Sequence, residues 1–203
     1  FLKGQAFGGK KDFKTAAKAY NDLFDFEEQV GKKRYSDKAV PMLNVLKEEL
    51  NNKAFSLNEA NNYKGSSEAF YLRYTLDKRD TMFLANAAQL ALQAKDYDGS
   101  FKLYSELTKT GYTGIKDVFE ATDKATGKTV SFNSQKEMDF MVKSGAYLNP
   151  EASKTKSKRV DISKNLVNIL TKQKKYDEAI ALIKNIRSAE PDNLDLLLAE
   201  AFL

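Results

Sequence analysis

The chain has 203 residues, 42% of them hydrophobic and 30% charged, with a formal net charge of +5. This length sustains one domain or one elongated array, and no run of about 18 apolar residues is present to cross a membrane as a helix. Cysteine and histidine are both absent, which removes disulfides, thiolate nucleophiles, His-based triads and zinc sites built on either residue, so an enzyme is not expected.

Three Pro and ten Gly beside abundant Ala, Leu, Lys and Glu fit a mainly helical chain. Phe1-Leu2-Lys3-Gly4 reads as a helix already under way, so the chain is expected to be a piece of a longer protein. Gly4 and Phe7 lead to a turn at Asp12-Phe13, and a second helix follows through Ala16, Tyr20 and Leu23. These make a first unit over 1–30. The stretch from Phe26 to Pro41 then lengthens the link. Ser36 and Asp37 are expected to cap a long helix running through Met42, Leu46 and Leu50 toward Ala60, with Pro41 near its first turn.

Asn61-Asn62-Tyr63-Lys64-Gly65-Ser66-Ser67-Glu68-Ala69-Phe70 lines up with Lys95-Asp96-Tyr97-Asp98-Gly99-Ser100-Phe101-Lys102-Leu103-Tyr104, 34 residues further on. A period of this length in helix-favouring sequence marks a helix–turn–helix repeat. It sets a second unit over 36–79, with Leu50, Ala54 and Leu57 before its turn. A third over 80–111 carries Leu84, Ala88 and Ala91 in the same places. A fourth over 158–193 uses Val167, Leu170, Tyr176, Ala179, Ile183, Ile186 and Pro191, and 194–203 starts another helix.

Between the third and fourth units lies an insertion over 112–157. Val118 to Thr122 and Lys128 to Phe132 are rich in β-branched and aromatic residues and flank Asp123-Lys124-Ala125-Thr126-Gly127, which reads as a β-hairpin with Gly127 at positive φ. Ser134 and Glu137 form a capping box before a short helix that ends at Gly145, and Asn149-Pro150 opens a polar loop to Arg159. A two-stranded hairpin is marginal alone, so it is expected to pack on the preceding helices or to engage a partner. Thr122 to Thr129 has a partial likeness to a phosphate loop but lacks the following helix, and Asp123 with Gly127 fails the spacing of a calcium loop. Lys154, Lys156, Lys158 and Arg159 form a basic cluster without interleaved aromatics, so nucleic acid is not expected. No cofactor or metal site is indicated.

With four copies in compatible register, the chain resembles the tetratricopeptide repeat (TPR) family over roughly two-thirds of its length. Lys53, Arg73 and Ser163 depart from the family's apolar positions, and only the fourth copy has the terminal Pro. The resemblance implies an all-α fold, a right-handed α-α superhelix (a TPR-like solenoid), here carrying a small β-hairpin-containing insertion. It also implies a non-enzymatic scaffold that binds a partner protein or peptide through the concave face lined by the first helix of each pair, helix A. Carried over position by position, that face comprises Asn51, Phe55 and Asn58, then Met82, Asn86 and Gln89, then Asp161, Lys164, Asn165 and Asn168. Lys164 and Asn168 match the start of the family's carboxylate clamp, but Ala199 stands where the clamp's next Asn belongs. Bacterial proteins of this kind are often exported, so a periplasmic or envelope location is implied. A second expectation makes the insertion a carbohydrate- or envelope-binding module, acting through Tyr112, Phe119, Phe132 and Tyr147.

Overall fold

The structure is a computed structural model that describes residues 1–189, the last four of them by backbone alone. Ile186 as a side chain, Pro191, Ala199 and the element expected over 194–203 lie outside the described residues. The elements are α1 (Leu2–Gly9), α2 (Phe13–Gln29), α3 (Ser36–Glu59), α4 (Tyr63–Leu76), α5 (Thr81–Gln93), α6 (Tyr97–Lys109), β1 (Asp117–Asp123), β2 (Thr129–Phe132), α7 (Gln135–Lys143), β3 (Tyr147–Lys154), α8 (Arg159–Lys172) and α9 (Tyr176–Ala189). The described chain is therefore mostly helical with one small antiparallel sheet. It divides into a helical unit, Phe1–Tyr112 with the residues from Ile162 on, and a second unit, Thr113–Asp161. None of the described helices is long and apolar enough to cross a membrane.

Within the four helix pairs of the helical unit one turn recurs, and Gly31 closes α2 with the same ending at a φ of 64°. Lys11, Asn61, Lys95 and Lys174 each take a positive φ of 57 to 60°. In each case the N–H of that residue reaches back three positions and the next N–H reaches back five, as in Lys95 to Leu92 and Asp96 to Ala91. This is the Schellman ending, which satisfies carbonyls that a helix end would otherwise leave open. In three of the four turns the next residue caps the following helix. Asp12, Asn62 and Asp96 accept from the backbone N–H of Thr15, Gly65 and Gly99 at 3.1, 3.0 and 2.9 Å.

Beyond the turn, a small side chain lies where the two helices meet. Ala16, Ser66, Ser100 and Ala179 are all fully buried. Ser66 donates to the Ala54 carbonyl at 2.7 Å and Ser100 to the Ala88 carbonyl at 2.9 Å, the same bond in two successive pairs. Gly4 serves this close approach from the other side, since a Cβ there would lie 2.6 Å from the Tyr20 ring. Large side chains fill the remaining space. Leu43, Leu46, Leu50 and Leu76 surround Tyr20 in one core cluster. Phe70, Tyr74, Phe83, Leu84, Leu107, Ile162, Leu166 and Ile169 form the next. Arg73, which stands at a position usually apolar, is buried with its guanidinium 4.2 Å from the Phe83 ring and Nη2 2.9 Å from Asp80.

The start of α3 differs from the expectation. Ser36 is the first helical residue rather than the cap, and Tyr35 at the cap position makes no side-chain bond. The cap comes from Glu27 at the far end of α2. Its carboxylate accepts from the N–H of Tyr35 at 2.7 Å, the N–H of Ser36 at 3.1 Å and the Ser36 hydroxyl at 2.6 Å. A carboxylate on a helix N-terminus is also favoured by the helix dipole.

In the second unit the hairpin forms, with Phe119 opposite Phe132 and Thr122 opposite Thr129, and Gly127 takes a φ of +68°. Ser134 accepts from Glu137 N–H, and Glu137 reaches back to the Asn133 N–H, one residue before the cap, a variant of the expected capping box. The segment expected as a polar loop is instead a third strand. β3 pairs antiparallel with β1, giving the order β2-β1-β3. Its register slips between Glu120 and Thr122, opposite Asn149 and Pro150, where Asn149 takes a φ of 51°. Pro150 is tolerated there because the strand lies at the sheet edge and the residue falls in a bulge. The hairpin is thus completed by its own third strand and α7, whose Met138 is buried, as is Ala121 of β1.

Burial would raise the Glu27 carboxyl, but the Ser36 hydroxyl and the N–H groups of Tyr35, Arg34 and Ser36 outweigh it and hold it at about 2. A depressed carboxyl contributes stability that is present above its unfolded value near 4.5 and is lost as pH falls toward about 2. In urea unfolding, the stability difference between wild type and Glu27→Gln should be constant above that window and shrink across it. A pH-independent difference would mean that the carboxylate charge contributes nothing to the cap.

Candidate partner-binding face

The ten candidate residues form one stripe on each of α3, α5 and α8, because spacings of three and four return a side chain to the same side of a helix. On α3, Asn51 is half-buried while Phe55 and Asn58 are exposed. On α5, Met82 and Gln89 are exposed and Asn86 is half-buried; on α8, Lys164 and Asn165 are half-buried and Asn168 exposed. Asp161 is exposed but falls in the second unit, apart from the other nine in the helical unit.

Two physical links connect the stripes. Phe55, 54% exposed, packs edge-on to Phe70, and Phe70 stacks on Phe83, the neighbour of Met82. An aromatic file therefore runs from α3 through α4 to α5. From α5 to α8 the link is polar. The Asn165 amide donates to the Tyr104 hydroxyl at 2.9 Å, and that hydroxyl donates to Gln89 Oε1 at 2.8 Å. Burial pushes the Tyr104 hydroxyl up to about 12, against the smaller opposing effect of the Asn165 bond. It therefore stays protonated and keeps its donor role at neutral pH. Tyr104 was legible in the repeat register only as a packing residue, and nothing in local sequence marks it as the bridge.

Asn51 Oδ1 is buried and accepts no hydrogen bond among the described residues. The rest of the face consists of amides, which donate and accept at once, with Asp161 and Lys164 as its charged members, beside two exposed apolar side chains. Such a surface can pair with the backbone of an extended chain and cover its apolar side chains.

The aromatics proposed for the insertion are less available than expected. Phe119, Phe132 and Tyr147 are all half-buried, and Phe132 and Tyr147 meet edge to face at 5.2 Å. Tyr112 is half-buried against the helical core. They pack within their own units instead of forming an open aromatic platform.

Sequence reasoning missed two clefts where α2 passes into α3. The larger, about 1120 Å³, includes Asp77, whose carboxylate is held by Arg79 and Lys47 at 2.9 Å each and lies well below the usual carboxylate range. Asp77 is thereby satisfied by its two cations. The other, about 930 Å³, is lined by Leu2, Phe26 and Val30 among its apolar residues and by Lys32, Lys33 and Arg34 on its rim. The available signal was the apolar face of α2 continuing past its end and then giving way to three consecutive cations.

No family model matches this chain, and no curated protein matches it.

Removing the Tyr104 hydroxyl severs both polar links between α5 and α8. Tyr104→Phe should cost about 1 kcal/mol in urea unfolding, since Gln89 regains water while Asn165 does so only partly. In the double variant with Asn165→Ala the two costs should be less than additive, and full additivity would mean that the bridge is not energetically coupled.

Proposed function

We propose that this protein is a non-enzymatic interaction scaffold. Its helical unit winds as a right-handed α-α superhelix of the tetratricopeptide kind and binds a protein or peptide partner through the helix A face. The observation that carries the reading is the recurrence of amide side chains, joined by Phe55, Met82 and Lys164, at matching positions of α3, α5 and α8. Phe55 and Met82 stand 54% and 40% exposed on stripes otherwise made of Asn and Gln. The fourfold recurrence of one turn and one buried small residue supports the repeat architecture behind it.

An extended peptide suits this surface for energetic reasons. The Gln89–Tyr104–Asn165 chain fixes two of the amides in place, so less side-chain entropy is lost when a ligand binds. Phe55 and Met82 are the anchors, because large side chains that are exposed in the free protein gain most from being covered.

The test uses the triple variant Phe55→Ala, Met82→Ala, Asn168→Ala, whose three side chains are exposed, with only the Phe55 ring touching a core residue, Phe70. A partner captured by the wild-type chain should be purified and titrated calorimetrically against both proteins. The reading expects at least a tenfold loss of affinity, about 1.4 kcal/mol, at unchanged helicity. Equal affinity would place the partner elsewhere on the molecule.

A further inference from the structure

The cleft between α1, the end of α2 and the link into α3 has an apolar floor and a one-signed rim. Leu2 is 76% exposed, Phe26 61% and Val30 53%. Isolated exposed apolar residues are ordinary, but three of them lining one cleft are a patch. Lys3, Lys32, Lys33 and Arg34 line the same cleft. None of these four cations makes an ion pair among the described residues. Glu27 is the sole carboxylate in the lining, and its oxygens are committed to the N-terminus of α3. The lining thus carries four cations and no free carboxylate, and Lys33 is shared with the neighbouring cleft, where Asp25, Glu28 and Asp37 lie.

Arg34 is also held in place. Its guanidinium lies 5.2 Å from the Tyr35 ring, and Tyr35 stacks on Phe1 at 5.5 Å. A cation that is stacked in this way keeps its donors free for a carboxylate.

We propose that this cleft docks an acidic amphipathic peptide segment of a partner protein, its apolar side chains on Leu2, Phe26 and Val30 and its carboxylates against Lys3, Lys32, Lys33 and Arg34. A peptide fits better than a small molecule for two reasons. Small-molecule sites enclose most of their ligand, whereas these apolar side chains stand largely open. The cations come from α1 and from the link, so several carboxylates spaced along a chain match them where one anionic head group does not. The site lies on different elements from the α3, α5 and α8 stripes, so it stands or falls independently of the helix A reading.

The experiment is calorimetric titration of the 203-residue protein with a synthetic helical peptide bearing glutamates on one face and leucines on the other. The wild-type protein should bind it, more weakly as salt is raised. Lys33→Glu with Arg34→Glu should weaken binding about tenfold or more, and Phe26→Ser should weaken it as well. All three side chains are exposed, and retained helicity verifies the fold of each variant. The variant altered at Phe55, Met82 and Asn168 should bind like wild type. Equal binding of a peptide with lysines in place of the glutamates would overturn the proposal. So would unchanged binding by the charge-reversed variant, or loss of binding in the Phe55 variant. Retention on anionic phospholipid vesicles with no binding of the peptide would assign the cleft to a membrane surface instead.

Discussion

Two helices joined by a short turn can pack closely only where the side chain between them is small. In this protein that condition is met in every helix pair, by Ala16, Ser66, Ser100 and Ala179, each without measurable exposure. Close approach governs the rest of the packing. It leaves room for Ser66 and Ser100 to bond directly to the carbonyl of the partner helix, and it brings the large residues of neighbouring pairs into a shared core. It also fixes which side of α3, α5 and α8 remains uncovered. The amide stripes face outward because Leu50, Ala54, Leu84 and Ala88 on the same helices are committed inward.

Electrostatics acts on this frame at its weak points. The longer link between α2 and α3 interrupts the regular turn, and the start of α3 would be left with unpaired N–H groups. Glu27 closes that gap from the preceding helix. Arg73 is accommodated at an apolar position by stacking on Phe83 and pairing with Asp80. In the α3–α4 to α5 connection, Asp77 gathers Lys47 and Arg79. These contacts repair departures from the repeat, whereas the cations on the rim of the α1–α2 cleft make no ion pair among the described residues.

Much of this was legible locally. Aromatic, small and aromatic residues at fixed offsets located the helix pairs, and β-branched runs around Gly127 located both strands of the hairpin. What was not legible depended on distant partners or on unusual backbone. β3 is polar, exposed and contains Pro150, so only the open edge of β1 makes it a strand. The repeated turn uses Lys or Asn at positive φ where glycine would have been the recognisable sign. Ser36 looked like a cap because a Glu nine residues earlier gives no local signal that it will return. Of the candidate face, the stripes followed from the repeat register, but the Tyr104 bridge between Gln89 and Asn165 arises only when α5, α6 and α8 pack together. The α1–α2 cleft likewise forms only when α1 packs beside the end of α2, and its one local sign was the run of cations Lys32, Lys33 and Arg34.

The most direct measurement of the central claim compares the urea midpoints of Ser100→Ala and Ser100→Val. If the helices meet as tightly as described, Ala should cost about 1 kcal/mol for the lost bond to the Ala88 carbonyl. Val, forced into a fully buried site with no room for its extra methyl groups, should cost about 1–3 kcal/mol more. A Val variant no less stable than the Ala variant would contradict the close crossing on which the whole arrangement rests.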